Sequence, residues 1–115
     1  MGKVACLLFV SLSFSCLGQA LSTSRPIKFL ALGDSYTIGE SVEENFRWPN
    51  QLSDALSAKG FQIDRPKIIA TTGWRTDNLN DAIKAADLKD EYSLVSLLIG
   101  VNNQYQGRSV EQQYH

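Results

Sequence analysis

The chain is predicted to fold as an α/β domain built on a parallel sheet. Three apolar runs, Ile27–Leu32, Lys67–Ala70 and Ser93–Ile99, are nearly continuous rather than alternating, which marks strands covered on both faces. Each run closes on a glycine or a polar turn. Helical patterns fill the intervals between them, and the order strand, helix, strand, helix, strand is the signature of right-handed βαβ units. The composition is that of a globular protein: 115 residues, 43% hydrophobic, 10% aromatic and 20% charged. Disordered, collagenous and coiled-coil classes are excluded on that ground.

The first twenty residues are expected to lie outside the folded domain. Met1-Gly2-Lys3 gives a short positive start, Val4 to Phe14 is apolar apart from small serines, and Gly18-Gln19-Ala20 has the small-x-small form of a cleavage site. That layout is a secretory signal peptide, residues 1–20, and it predicts a secreted or periplasmic protein. The apolar run is shorter than the roughly 20 residues a spanning helix needs, so no transmembrane segment is expected. Both cysteines, Cys6 and Cys16, fall in this leader, and a chain cut after Ala20 has no thiol and no disulfide. Lipid attachment at Cys16 is the lesser alternative, because the residue three before it is Ser13 rather than leucine.

In the remaining residues, 21–115, Ile27–Leu32 (IKFLAL) is the first strand and stops at Gly33-Asp34. Trp48, Leu52, Ala55, Leu56 and Lys59 fall at helical spacing, with Pro49 at the front and Gly60 just past the end. The Lys59 stem extends that apolar face. Lys67–Ala70 is the second strand, closed by Thr71-Thr72-Gly73. Leu79, Ala82, Ile83 and Ala86 form a second helical stripe behind Thr76, the expected N-cap. Ser93–Ile99 is the third strand, closed by Gly100. The longest charge run, Glu43-Glu44, is expected on a solvated face. Eleven basic against twelve acidic residues give a net charge of -1, too little positive charge to hold a nucleic acid.

In a parallel sheet the loops after the strands emerge on one edge, where open α/β sheets bind ligands. Here that edge receives Gly33-Asp34-Ser35-Tyr36, then Thr71-Thr72-Gly73-Trp74-Arg75, then Gly100-Val101-Asn102-Asn103. Acyl transfer asks for such a set: a nucleophile, and donors aimed at the oxyanion of the tetrahedral intermediate. Ser35 supplies the hydroxyl and its own N–H, Gly73 a backbone N–H without a Cβ in the way, and Asn102 a side-chain amide. Asp34 is expected to satisfy turn or helix N–H groups, and Asn103 to support its loop. Trp48 is expected in the core, Trp74 either in the core or along a substrate groove, and Arg75 on the surface.

These three blocks resemble the GDSL, or SGNH, hydrolase family. FLALGDSYTIGE is similar to the family's first block, Thr71-Thr72-Gly73-Trp74 to its second and Gly100-Val101-Asn102-Asn103 to its third, in the same order and spacing. The resemblance implies a flavodoxin-like α/β/α sandwich, of which this chain holds the first three strands. It also implies a cofactor- and metal-free serine hydrolase of esterase, lipase or deacetylase type acting on a small-molecule or glycan-linked ester. Ser35 matches the nucleophile, and Gly73 and Asn102 match the oxyanion donors. Asn103 stands where the third block normally has Asp. Tyr36-Thr37 after the serine departs from the Gly-x-Ser-x-Gly elbow of α/β-hydrolases.

The serine needs a base, which the family draws from an Asp-x-x-His block. The sequence has one histidine, His115, with Gln112 three before it, so no Asp-x-x-His occurs in it. Ser109-Val110-Glu111-Gln112 reads as a capping box opening a further helix. Residues 21–115 are therefore expected to be the N-terminal part of a longer hydrolase and to be inactive alone. Two other readings remain at this stage. One is a catalytically silent relative that binds an acyl or carbohydrate ligand. The other is a phosphate or nucleotide binder using Gly33 to Ser35, weakened by the lone glycine and the lack of a following lysine.

Overall fold

The computed structural model describes residues 25–107. The expected leader, the helix expected from Ser109, and His115 lie outside the described residues. Three strands form one parallel sheet in the order β2-β1-β3: β1 is Phe29–Gly33, β2 is Lys67–Ala70 and β3 is Leu94–Leu98. Gly33 is in register with Ala70 on one side and with Leu98 on the other, so the three strands finish level. All five residues of β1 are buried, as expected of a central strand with a continuous apolar run.

The two crossovers place helices on opposite faces. Helix α2, Trp48–Ala58, follows β1, and Trp48 packs on Phe29 with ring centroids 6.2 Å apart and planes tilted by 53°. Helix α3, Thr76–Ala85, follows β2 on the other face. There Leu79 joins Leu30, Leu32 and Ile69 in a buried cluster, with Ala82, Ile83 and Ala86 packed against it. Because side chains alternate along a strand, Phe29 and Ala31 serve one layer and Leu30 and Leu32 the other. The result is the predicted α/β/α arrangement around a parallel sheet.

Several local expectations need correction. β1 begins at Phe29, since Ile27 makes only an isolated parallel bridge to Ile63. β3 spans Leu94–Leu98, with Ser93 and Ile99 outside it. That third strand is not covered on both faces among the described residues: Val95, Leu97 and Leu98 are 53%, 65% and 49% exposed. It lies at the edge of the described sheet, and continuous apolarity alone does not reveal which strand is central. In α2 the buried positions are Pro49, Asn50 and Ser53, while Ala55 and Lys59 are exposed, so the inner face is rotated from the apolar stripe. Asn50 Nδ2 earns its buried place by donating to Glu44 O at 2.6 Å. Thr76 is the first residue of α3 rather than its cap; Arg75 is the cap, and its N–H donates to Asn78 Oδ1 at 3.1 Å. Glu43 and Glu44 are exposed as expected.

Three short elements escaped the sequence pattern. They are helix α1 at Ser35–Ile38, a 3-10 turn at Glu44–Phe46 and helix α4 at Val101–Tyr105. Each is too brief for an amphipathic period to register.

Candidate active site

The level strand ends bring the three blocks to one edge of the sheet. The chain goes from β1 to β2 on one side and then returns to β3 on the other, so the strand order reverses at β1. Crevices at such reversals, beyond the carboxyl ends of the strands, are where open α/β sheets bind ligands. Ser35 stands two residues past the end of β1, at the start of α1, and is half-buried.

Asp34 builds the turn that presents Ser35. It is 1% exposed, and its Oδ1 accepts the Tyr36 N–H at 3.0 Å. Its carbonyl accepts the N–H groups of Thr37 at 3.0 Å and Ile38 at 2.9 Å. This is an N-cap, and it satisfies the donors that a helix start otherwise leaves open. The Ser35 N–H has no acceptor among the described residues. From the other side, Trp48 Nε1 donates to Tyr36 O at 3.0 Å and ties α2 to the turn. Trp48 is thus half-buried with a polar task, not a plain core residue.

Gly33 explains how α1 can lie so close to the strand ends. A Cβ there would overlap the Thr37 side chain and the Leu98 carbonyl oxygen. Gly73 is required for a different reason: its φ of +81° is left-handed, and no atom lies within 4 Å of where its Cβ would point. The residue is exposed, and its N–H has no acceptor among the described residues.

The second and third blocks are stitched together. Asn102 Nδ2 donates to Trp74 O at 2.9 Å. A carbonyl can only accept, so this contact fixes which end of the amide is nitrogen. One amide hydrogen is used and the other is left to point elsewhere. Asn103, 1% exposed, crosses to α3: its Oδ1 accepts the Thr76 N–H at 3.1 Å and its Nδ2 donates to Thr76 Oγ1 at 3.0 Å. Asn103 thus supports its loop through a partner 27 residues away, at the start of α3. Arg75 is likewise more than a surface residue. Its guanidinium grips Asp77 through Nε at 3.0 Å and Nη2 at 2.8 Å, and Nη1 donates to Gln106 Oε1 at 2.9 Å. The hydrogen bond from Arg75 holds the Asp77 carboxyl below its ordinary range. Trp74 is half-buried against the α3-side cluster, which favours its core reading.

A mostly apolar recess of about 260 Å³ opens on this edge, lined by Asp34, Tyr36, Leu98, Ile99 and Val101. A larger one, about 580 Å³, lies at the other end of the strands between Arg25, Lys28, Asp90 and Tyr92. Size does not decide between them: the larger holds an ion pair, Lys28 with Asp90 at 2.7 Å, while the smaller is lined by Asp34, Tyr36 and Val101, the chain neighbours of Ser35 and Asn102.

Residues 31–115 match the GDSL-like lipase/acylhydrolase family. The chain belongs to that family. Among solved structures it is similar to AlinE4, an SGNH-hydrolase family esterase, at 25% identity and a TM-score of 0.65. Two variants of the same esterase, one with a serine and one with an aspartate replaced by alanine, superpose equally well, at 24% and 25% identity. In each case the match covers 76% of this chain and 47% of the esterase, so the chain spans about half the length of these relatives. No curated protein sequence matches it. Within the GDSL-like family frame, the strand ends carry the serine, glycine and asparagine blocks in the expected order. The sequence analysis missed the ties between blocks, Asn103 to Thr76 and Arg75 to Gln106. The only hint was that all four residues are polar and follow the motif glycines within six positions. Among the described residues no helix is long and apolar enough to cross a membrane.

Proposed function

We propose that the protein is an exported esterase-type serine hydrolase in which Ser35 forms an acyl-enzyme. Ser35 Oγ attacks the ester carbonyl and gives its proton to a base. The Ser35 and Gly73 N–H groups and the Asn102 amide receive the negative oxygen. The alcohol leaves with a proton from the base, and water then attacks the acyl-enzyme by the same route in reverse. The single observation that carries this reading is the set of donors at the strand reversal that have no acceptor among the described residues: the Ser35 N–H, the Gly73 N–H, and the second hydrogen of the Asn102 amide, whose first goes to Trp74 O. The apolar recess beside Tyr36 favours an uncharged acyl or alcohol group. No Asp-x-x-His occurs in the 115 residues, and the base is assigned to sequence outside them. Export rests on the signal-peptide pattern of residues 1–20.

The test is Ser35→Ala in the full-length protein. Hydrolysis of a short-chain aryl ester and labelling by a fluorophosphonate probe are both expected to disappear, with the circular dichroism spectrum unchanged. Turnover retained by Ser35→Ala would overturn the nucleophile. A parent protein that binds the ester but neither turns it over nor takes the probe would point instead to the silent binding module.

A further inference from the structure

We propose that Asn103 is the positioning residue for the oxyanion site, acting through a two-bond clamp on Thr76. This rests on the reading of Asn102 and Gly73 as donors. The two donors hang from loops that follow β2 and β3, and β1 lies between those strands. Sheet pairing sets the two donors relative to each other only at second hand, through β1, because β2 and β3 do not pair directly. The loops run on past the strand ends, so contacts there refine their spacing, and donor geometry is where a displacement of about 1 Å is felt in rate.

Asn103 has the features for that task. It is 1% exposed, it follows Asn102 directly, and its amide is used at both ends on a single residue, Thr76. Thr76 opens α3, three residues after Gly73. The clamp therefore joins the residue next to one donor to the helix start next to the other. Two bonds to one partner define an orientation as well as a distance. The Asn102 contact to Trp74 O then sets the direction of the amide within that frame. The clamp is also uncharged, so its grip does not depend on pH.

The experiment compares full-length variants on a short-chain aryl ester. Asn103→Leu removes both bonds and is expected to lower kcat about 10- to 100-fold with KM within about twofold, since the loss falls on the transition state. Asn103→Asp still accepts from the Thr76 N–H and from its hydroxyl, and should restore kcat to within about threefold of the parent. In an Asn102→Ala background, Asn103→Leu should cost less than about a further twofold, because the group it positions is gone. A purely structural role would lower Tm and leave this coupling at zero. If Asn103→Leu does not fold, Thr76→Val decides, for it keeps the N–H bond and removes Oγ1. A kcat fall of about three- to tenfold, again absent in the Asn102→Ala background, is expected. Parent-like kcat in the Leu or Val variant, additive losses, or an Asp variant as damaged as Leu would overturn the clamp. Ser35→Ala separates the two ideas: if it abolishes turnover while Asn103 variants behave as the parent, the clamp fails and the nucleophile stands.

Discussion

Replacing Gly33 by alanine perturbs a point where β1, helix α1 and the end of β3 meet. The added methyl would overlap Thr37 Oγ1 and the Leu98 carbonyl, with Thr37 Cβ at 2.7 Å. Thr37 is fully buried and β-branched, so its side chain has little room to turn away. The Leu98 oxygen belongs to the backbone of β3, in register with Gly33. Ordinary contact needs a carbon–carbon separation of about 3.5 Å, so something must retreat by roughly 1 Å. Overpacking of this kind costs about 1–3 kcal/mol. In a domain of the length of its relatives that lowers Tm by roughly 2–12 °C. The functional effect is separate. If β3 yields, the Gly100–Asn103 segment moves away from Ser35, and a shift of that size is worth roughly 10²-fold in kcat. The assay is thermal unfolding together with kcat on an aryl ester, read at a temperature where the variant is fully folded. Unchanged Tm would refute the packing argument. A lowered Tm with parent-like kcat would refute the coupling between this strand end and the donor loop.

Two further outcomes are expected. Asn102→Ala should lower kcat by about 10²–10³ with much less change in KM, as for loss of one oxyanion donor; if Asn103→Ala is the more damaging, the third block has been read one residue out of place. Asp77 is held below the ordinary carboxylate range by Arg75, so its pairing stabilises the fold above the unfolded carboxylate value, about pH 4, and is lost as pH falls through the lowered one. Tm profiles of the parent and Asp77→Asn should therefore differ at neutral pH and converge in acid.

Much of this architecture is legible in the residue pattern because the signals are local. An unbroken apolar run ending in Gly33 defines β1, and Leu79, Ala82, Ile83 and Ala86 at helical spacing define α3. The candidate site is legible because parallel topology turns three distant loops into neighbours. What is not legible is whatever depends on a partner outside the local window. The exposure of Leu97 depends on which strand is central. Asn50 and Ser53 face inward because α2 rotates to seat Trp48 on Phe29 and Tyr36 O, while Asn50 meets the Glu44 carbonyl. Thr76 looks like a cap in sequence, yet its hydroxyl is committed to Asn103. Polar residues are the hardest to place: Asn50 is buried where the Glu44 carbonyl satisfies it, whereas Ser53 Oγ is buried with no partner among the described residues.

Asp34 shows how a motif letter can mislead about chemistry. A helix start ordinarily leaves several N–H groups without acceptors. Here one residue takes two of them, Tyr36 by its side chain and Thr37 by its carbonyl, which also accepts the ordinary helical bond from Ile38, and the Ser35 N–H has no acceptor among the described residues. What this position contributes is an acceptor of the right reach. The acid of the Gly-Asp-Ser signature thus works as grammar rather than vocabulary: it decides which amide of the turn is left without an acceptor among the described residues.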